Sequence, residues 1–433
     1  MSSGPTSGPD EGVRQRGESG ESGEGGEGGE AAHFEVPTID ISSWAGGGAP
    51  GEDDRTPDLV DEALRRVGFL QVTGHGVPAG VTADLAGAMD GYFGLPRETK
   101  ERHRVAGANR GYSPPRSEAL SLSLGVEPAA GARDYFEAFN IGVEARSFAG
   151  LDLPESEYGI NLWPDQPEGF RAAVERYFDH AGRVARTLTR IVAAALGEKA
   201  GFFEALTDHS IDVLRMNNYS LAAGIGRAAG IGRAACSGEG AAAGAAGRLA
   251  AGGTDTREEL RVGHLPDSGP EPRNLAAQGS LAMGAHTDYG IVTVLWADPV
   301  PGLEILGTDG IWHGVVPRPG ALLVNIGDLT ARLTNDAWLS TMHRVIPPTA
   351  EGRLVRRRSA AFFHDGNFDA VVATLPRFVE EARLAGRALY QPTTVGDHLR
   401  AKLAGSRQGT ANTSAVREAT RLLAAEGAVP GGP

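Results

Sequence analysis

The C-terminal half of the chain contains a series of short β-strand patterns separated by turn signals, and this series limits the possible folds more than any other feature. From Leu214 to His364 the apolar runs are short, and DG or PG pairs stand between several of them. Short strands at regular spacing are typical of barrels and two-layered β structures. We therefore predict a β-barrel or jelly roll with strands at LRMNNYS, IVTVLWA, GLEIL, IWHGVV, ALLVNIG, TMHRVI and RRSAAFFH.

The N-terminal half combines strand and helix patterns. The runs VPTIDIS (36–42) and GFLQVTGHGV (68–77) are rich in β-forming residues and enclose a helical stretch over 59–67. From Phe170 to Gly197 apolar residues recur at spacings of three and four, which predicts a long amphipathic helix. The expected fold class is α+β, with a jelly-roll core and flanking helices.

Two segments have compositions that cannot build a core. Residues 1–32 are mainly Gly, Ser and Glu in low-complexity repeats, and residues 221–280 contain AAGIGRAAGIGR, an Ala/Gly-rich run and several prolines. Such sequences bury too little apolar surface to offset the entropy of ordering. We predict a disordered acidic tail at 1–32, an N-terminal helix and strand region at 33–200, a jelly-roll core at 201–404 and a C-terminal tail at 405–433. The segment 221–280 is an insert in the core, either a disordered surface loop or a lid over the substrate.

Charge and cysteine content exclude several classes of protein. The 433 residues carry a formal net charge of −14, and an acidic chain repels nucleic-acid backbones. A single cysteine, Cys236, excludes internal disulfides and cysteine-rich metal sites, and it fits a reducing cytoplasm. No apolar run is long enough to span a bilayer. We therefore expect a cytoplasmic protein without a nucleic-acid or membrane partner; the sequence sets neither its oligomeric state nor a role for Cys236.

With cysteine excluded, a transition-metal site must come from histidine and carboxylate side chains. His286 and Asp288 have the i, i+2 spacing that places two side chains on one face of a strand. His343 lies on a later predicted strand that can reach the same site from across a barrel. Two imidazoles and one carboxylate leave three coordination positions open, as in non-haem Fe(II) oxygenases. The His-x-Asp triplet by itself is weak evidence, because short motifs arise easily by chance.

The last predicted strand adds an anion-binding pattern. Arg357 and Ser359 have the same two-residue spacing, which puts a guanidinium group and a hydroxyl on one face, suited to gripping a carboxylate. The alternative is a solvated basic run, since RLVRRRS contains four arginines.

The remaining histidines are weaker candidates for function. His33 has ligand-like spacing to Glu35 but adjoins the predicted disordered tail, and His75 is expected to have a packing role. His313 and His364 follow aromatic residues on predicted strands, so that each either packs or lines a substrate pocket.

These blocks together resemble the Fe(II)- and 2-oxoglutarate-dependent dioxygenases of the isopenicillin N synthase-like family. The resemblance extends over about residues 34–404, apart from the 221–280 insert. It includes, in family order, VPTIDIS, GFLQVTGHGV, FGLPRETK, NRGYSPP, DYFEAFNIG, NLWP, LRMNNYS, GAHTDYG, NIGDLTARLTNDAWLSTMHRV and the Arg357-x-Ser359 pair.

The resemblance implies a double-stranded β-helix core and an oxygenase site. The implied residues are the Fe(II) ligands His286, Asp288 and His343, and the 2-oxoglutarate-binding residues Arg357, Ser359, Asn217 and Tyr219. It further implies O2-dependent hydroxylation, desaturation or ring closure of a small-molecule substrate, with release of succinate and CO2; ascorbate is an expected assay additive. The chain departs from the family at Ser220, where Pro is usual, and in the length of the 221–280 segment.

Two alternatives stay open at this level. Some members of the family are oxidases that need no 2-oxoglutarate, although the retained cosubstrate residues argue against that here. A non-catalytic jelly-roll binding or sensing protein would keep the fold without turnover, although the complete metal motif argues against it. The identity of the substrate does not follow from fold and cofactor residues.

Overall fold

The computed structural model describes residues 34–47, 51, 53–105, 109–126, 134–220, 281–350, 353–381 and 387–426. The predictions made for the 1–32 tail, His33, Cys236 and the 221–280 insert lie outside these residues. From Val36 onward the described chain packs as one unit. The division into an N-terminal region and a core stays a prediction.

The described chain contains both strands and helices. The strands are β1 (Thr38–Asp40), β2 (Phe69–Thr73), β3 (Gly111–Ser113), β4 (Glu137–Gly142), β5 (Asp212–Tyr219), β6 (Met283–His286), β7 (Val292–Ala297), β8 (Leu303–Leu306), β9 (Trp312–Val315), β10 (Leu322–Ile326), β11 (His343–Val345), β12 (Thr349–Ala350), β13 (Arg353–Leu354), β14 (Arg357–His364), β15 (Val371–Val372) and β16 (Thr393–Thr394). The helices are α1 (Ser42–Ala45), α2 (Thr56–Arg66), α3 (Ala79–Phe93), α4 (Arg97–Glu101), α5 (Phe170–Ala195), α6 (Glu204–Thr207), α7 (Asp328–Leu333), α8 (Pro376–Glu381), α9 (Val395–Gln408) and α10 (Val416–Ala425), with 3-10 helices at Leu120–Leu124 and Ala145–Ser147.

Two sheets form the core. The larger has eight strands in the order β1-β2-β10-β7-β14-β5-β4-β3, and the smaller has the order β6-β11-β8-β9. Their inner faces meet, since the Tyr219 hydroxyl on β5 lies 3.6 Å from Met283 Sδ on β6 and the Phe69 ring on β2 packs edge-on against His343 on β11. The predicted α+β fold with a jelly-roll core is confirmed, and each predicted strand is present.

Helix α5 supports the large sheet from outside. It packs against β7 and β14, and α2 and α3 pack against it in turn. Its buried side chains follow the predicted three- and four-residue spacing and include Phe170, Val174, Tyr177, Ala181, Val184, Leu188 and Ile191. Burial of a large apolar side chain contributes about 1.5–3 kcal/mol, so this face of α5 holds the sheet that carries the site. No helix in the described ranges is long and apolar enough to cross a membrane.

The described part of the predicted C-terminal tail contains helical structure. The tail predicted at 405–433 contains the last turn of α9 and the whole of α10. Leu422 of α10 is buried in a small cluster with Leu124, Leu306 and Met342. Because VREATRLLAA places its apolar residues on one helical face, the described part of the segment packs on the core through Leu422, while the boundary of the tail stays a prediction.

Gly68, between α2 and β2, has a backbone conformation and a close approach that only glycine tolerates. Its φ is +73°, and a Cβ atom there would overlap the Leu339 carbonyl oxygen. We expect Gly68→Ala to lower the free energy of unfolding by at least about 2 kcal/mol, because the left-handed conformation alone costs roughly 1–2 kcal/mol and the clash adds to it. Urea denaturation measures the change.

Gly87 in the middle of α3 is the matched control. A Cβ atom there meets nothing within 4 Å, so Gly87→Ala should raise stability by roughly 0.5–1 kcal/mol through helix propensity. Equal stability of the Gly68→Ala variant and the native protein would contradict the role given to Gly68.

Candidate active site

His286, Asp288 and His343 converge between the two sheets. In the antiparallel β6–β11 pair His286 and His343 are direct cross-strand partners, with ring centroids 4.3 Å apart. Asp288 Oδ1 lies 3.7 Å from His343 Nε2. One potential ligand atom from each residue lies within 4.8 Å of the other two, and all three residues are buried. The structure therefore brings together the three residues that the sequence singled out.

The path by which these residues meet differs in part from the prediction. His343 lies on the strand next to β6, not on a strand across the barrel. Asp288 lies beyond the end of β6, so strand alternation does not place it. Its backbone carbonyl instead accepts a hydrogen bond from the amide of Asp328 at 2.9 Å, which holds the turn after β6 against the start of α7.

Each histidine has one ring nitrogen occupied by the backbone. His286 Nδ1 lies 2.8 Å from the Gly284 carbonyl oxygen, and His343 Nδ1 lies 3.1 Å from that of Thr341. A carbonyl only accepts hydrogen bonds, so Nδ1 carries the proton and Nε2 keeps its lone pair. Burial, together with the neighbouring His343, lowers the pKa of His286 to about 3. That ring is therefore neutral at physiological pH, the form that binds a metal ion.

Hydrogen bonds also orient the carboxylate of Asp288. Its Oδ2 accepts hydrogen bonds from Thr293 Oγ1 at 2.6 Å and from Asn325 Nδ2 at 2.7 Å. Oδ1 is the oxygen on the side of His343. Two imidazole nitrogens and one carboxylate oxygen with fixed orientations fit a hexacoordinate Fe(II) ion with open positions.

Thr293 on β7 and Asn325 on β10 were not identified from the sequence. Each is a buried polar residue inside an otherwise apolar strand, IVTVLWA and ALLVNIG. A polar side chain at an inward position of such a strand needs a hydrogen-bond partner. That requirement is the sequence signal that would have pointed to them.

The four predicted cosubstrate residues lie together on neighbouring strands. In the β14–β5 pair Arg357 is opposite Tyr219, and Ser359 is opposite Asn217. All four are buried. The Arg357 guanidinium lies 5.4 Å from the centre of the Tyr219 ring, and Asn217 Nδ2 is 3.5 Å from Ser359 Oγ. Alternation along both strands puts the four side chains on one face.

Arg357 differs from the arginines beside it. Arg358 pairs with Asp298 at 3.0 Å, and Arg356 pairs with Asp90. Arg357 forms no ion pair with the described residues, its Nε has no hydrogen-bond partner, and burial lowers the pKa of its guanidinium. A buried cation without an anion is costly. The solvated-run alternative is wrong for Arg357, which is 1% exposed, and its surroundings suit an anionic ligand.

A buried network ties the turn after β6 to the C-terminal helix. Lys402 on α9 lies 2.7 Å from Asp328 Oδ2 and donates to Thr287 Oγ1 at 3.2 Å. Ser340 donates to the other carboxylate oxygen of Asp328 at 2.6 Å. Thr287 lies between His286 and Asp288 in the chain, so helix α9 helps to hold the spacing of these two candidate ligands.

The other histidines have partners of their own. His75 Nε2 lies 2.9 Å from the Gly320 carbonyl oxygen, which fits its expected packing role. His313 pairs with Asp309 at 2.9 Å on the edge strand β9, and the buried His364 pairs with Asp212 at 2.7 Å. None of the three belongs to the group that could hold a metal ion.

Comparison with known protein families agrees with this geometry. The family model "non-haem dioxygenase in morphine synthesis N-terminal" matches residues 36–166. The model of the 2OG-Fe(II) oxygenase superfamily matches residues 260–366, which include the three converging residues and the Arg357-x-Ser359 pair.

Curated relatives extend the match over most of the chain. The 2-oxoglutarate-dependent dioxygenase citB of Monascus ruber is 30% identical over 359 residues, covering 79% of this chain and 88% of that protein. Validamycin A dioxygenase of Streptomyces hygroscopicus subsp. limoneus is 28% identical over 348 residues, covering 78% of this chain and 79% of that protein. Homoarginine-6-hydroxylase 2-ODD-233 of Oryza sativa subsp. japonica is 28% identical over 374 residues, covering 84% of this chain and 95% of that protein.

A solved structure shares the fold. The crystal structure of a 2OG-Fe(II) oxygenase family protein from Caulobacter crescentus superimposes with a TM-score of 0.60 at 24% identity, covering 85% of this chain and 98% of that one. Because the curated relatives include 2-oxoglutarate-dependent dioxygenases, neither the cosubstrate-independent oxidase nor the non-catalytic alternative is favoured. The chain belongs to the Fe(II)- and 2-oxoglutarate-dependent dioxygenase family and is an enzyme that uses Fe(II), 2-oxoglutarate and O2 to oxidise a small molecule.

Proposed function

We propose that His286, Asp288 and His343 hold the Fe(II) ion through the two Nε2 atoms and Asp288 Oδ1. The observation that carries this assignment is that the second polar atom of each side chain is already engaged, at Nδ1 of both histidines and at Oδ2 of the aspartate. Of the remaining atoms, His343 Nε2 lies 3.7 Å from Asp288 Oδ1, and one potential ligand atom from each of the three residues lies within 4.8 Å of the other two. When bound, Fe(II) together with 2-oxoglutarate and O2 supplies the oxidising chemistry, with release of succinate and CO2.

We propose further that Arg357 and Ser359 bind the carboxylate of 2-oxoglutarate that is remote from the metal. Support comes from the unpaired, buried guanidinium and from the Ser359 hydroxyl on the same face of β14. Tyr219 and Asn217 flank that carboxylate from β5. Because the residues are buried, water is excluded and the attraction between guanidinium and carboxylate is stronger than at the surface.

The reaction proposed is hydroxylation, desaturation or ring closure at a C–H bond of a small metabolite. Two relatives are named for small polar substrates, validamycin A and homoarginine, and we propose a substrate of comparable size for this chain. We propose no nucleic-acid or membrane partner, because the net charge of −14 disfavours phosphate-rich surfaces. A single cysteine supports a reducing, cytoplasmic location.

The ligand assignment predicts that His286→Ala, Asp288→Ala and His343→Ala each abolish iron retention and turnover. Each change removes one of only three protein ligands. Iron bound after anaerobic loading is measured by metal analysis, and turnover as substrate-free succinate release. His180→Ala, on the outer helix α5, is the control and should retain both. Stoichiometric iron with native turnover in any one of the three variants would remove that residue from the ligand set.

The hydrogen bonds that orient Asp288 predict an effect on Fe(II) affinity. Thr293→Val and Asn325→Leu each remove a hydrogen bond to Oδ2, and loss of such support typically costs about 10- to 100-fold in metal affinity. We expect weaker Fe(II) binding in anaerobic titrations. Thr82→Val is the matched control, because Thr82 on α3 donates its hydroxyl to the Ala79 carbonyl of the same helix and not to Asp288. Native Fe(II) affinity in both Asp288-contacting variants would show that these bonds do not orient the ligand.

The cosubstrate assignment predicts that Arg357→Ala raises the 2-oxoglutarate KM by roughly two orders of magnitude or more, since truncating one member of a buried charge pair costs about 2–5 kcal/mol. Iron should stay bound. Arg358→Ala is the matched control, because Arg358 is paired outside the site with Asp298, and its KM should be native. An unchanged 2-oxoglutarate KM in the Arg357 variant, with an increase in the Arg358 variant, would assign carboxylate binding to Arg358 instead.

A further inference from the structure

A cavity of about 610 Å³ lies on the outer side of the large sheet, beside helix α5. Its lining comes from α5, from the segment 143–148 after β4, from residues of 204–212 and from Phe362 on β14. Side chains alternate between the faces of a strand, so Phe362 points away from the face that carries Arg357 and Ser359. The cavity and the proposed cosubstrate site therefore lie on opposite faces of one sheet.

The size and the aromatic wall of this cavity suit a small organic ligand. Pockets for such ligands typically measure about 300–1,000 Å³. Phe178 on α5 meets Phe362 edge to face, with ring centroids 5.0 Å apart, and Phe148 also lines the cavity. A Cβ atom at Gly182 would lie 3.3 Å from Phe362 Cζ, so the glycine leaves space beside that ring. Aromatic rings pack against apolar groups and attract cations to their faces.

Asp212 brings a buried carboxylate to the cavity. The residue is 8% exposed and lies opposite His364 in the β5–β14 pair. Its Oδ1 accepts the Ser210 hydroxyl at 2.7 Å and lies 2.7 Å from His364 Nδ1. Its Oδ2 accepts no hydrogen bond from the part of the chain that the structure describes. Because a buried carboxylate oxygen without a donor is costly, Oδ2 is available to a ligand that donates.

The charges around the cavity favour a cation. Of the described side chains, only His364 forms an ion pair with Asp212. Arg190 is held elsewhere, because its Nη2 donates to the Trp44 carbonyl at 2.9 Å, and Arg186 is exposed. Carboxylates outnumber guanidinium groups in the lining, which contains Asp179, Glu204, Asp208, Asp212, Arg186 and Arg190. A positively charged ligand would therefore improve the charge balance.

We propose that this cavity is a second binding site, for a small molecule that carries a primary ammonium group on an aromatic or apolar body. The ammonium group donates to Asp212 Oδ2, and the body packs against the rings of Phe178 and Phe362. An ammonium group supplies three donors, and its hydrogen bond to a carboxylate is charge-assisted. Because the sheet separates this site from the metal and cosubstrate residues, the ligand does not compete with 2-oxoglutarate.

Benzylamine is the probe, because it joins a primary ammonium group to one aromatic ring. Its binding to the full chain is measured by ligand-observed NMR titration and compared with that of benzyl alcohol, which lacks the charge. We expect saturable binding of benzylamine and at least about tenfold weaker binding of the alcohol, because hydrogen bonds to charged groups are the stronger ones. Absence of benzylamine binding, or equal affinity for the two compounds, would overturn the proposal.

A variant of Asp212 connects the binding to the cavity. Asp212→Asn keeps the size of the side chain and an oxygen that accepts from Ser210, but it removes the charge. Benzylamine affinity should fall about tenfold or more, while substrate-free 2-oxoglutarate turnover stays native. Asp58→Asn is the matched control, because Asp58 on α2 is exposed and pairs with Arg55; its benzylamine affinity should be native. Native affinity in Asp212→Asn would contradict the assignment.

Hydrogen exchange on the native protein locates the site without relying on a variant that has to fold. Bound benzylamine should slow amide exchange in the segments 143–148 and 204–212. Saturating Fe(II) and 2-oxoglutarate, added anaerobically, should leave benzylamine affinity unchanged. Protection confined to the strands of the metal residues, or displacement of benzylamine by 2-oxoglutarate, would place the probe in the oxygenase site and overturn the proposal of a second site.

Discussion

The pairing of β6 with β11 is the constraint on which the rest of the site depends. It sets His286 opposite His343, and side chains alternate between faces along a strand. A slip of one residue would turn His343 to the opposite face. The register is held from outside the pair, because Phe69 of the large sheet packs edge-on against His343 and the Thr341 hydroxyl donates to the Val67 carbonyl at 2.7 Å. The meeting of the two sheets therefore maintains the histidine pair.

Buried charge is the second organising principle of this interior. A charged group that is buried away from water needs an oppositely charged partner, hydrogen bonds or a bound ligand to offset the cost of its desolvation. Asp328 forms an ion pair with Lys402, and Arg215 forms one with Glu118, so the charges of both residues are compensated within the protein. Asp288 and Arg357 are satisfied only in part by the described residues. Their incomplete pairing supports the proposed binding of a cation at Asp288 and of an anion at Arg357.

Helix α9 connects the turn of the candidate metal ligands to a second group of buried charges. Lys402 donates to Thr287 in that turn, and Arg407 lies 4.0 Å from Glu118, the acid that pairs with Arg215. Between them the Ser406 carbonyl accepts the Ala119 amide at 2.9 Å, which joins α9 to the segment leading into the 3-10 helix Leu120–Leu124. A displacement of α9 would therefore disturb both the turn of the candidate metal ligands and the ion pairs of Glu118.

Most secondary-structure elements of the core and the type of chemistry could be predicted from the amino-acid sequence. Hydrophobic periodicity identified α5, the strands β5, β7 to β11 and β14, and the α+β class, because the alternation of apolar and polar residues within one helix or strand is visible in the local sequence. Residue type and spacing also pointed to His286, Asp288 and His343 as metal ligands and to Arg357 as an anion site. The three-dimensional contacts were needed to show that His343 is the neighbour of His286, that Thr293 and Asn325 hydrogen-bond Asp288, and that α10 packs on the core. They also show that Glu118 lies near both Arg215 and Arg407. These facts depend on strand order and on contacts between residues far apart in the chain, and local periodicity carries no information about either.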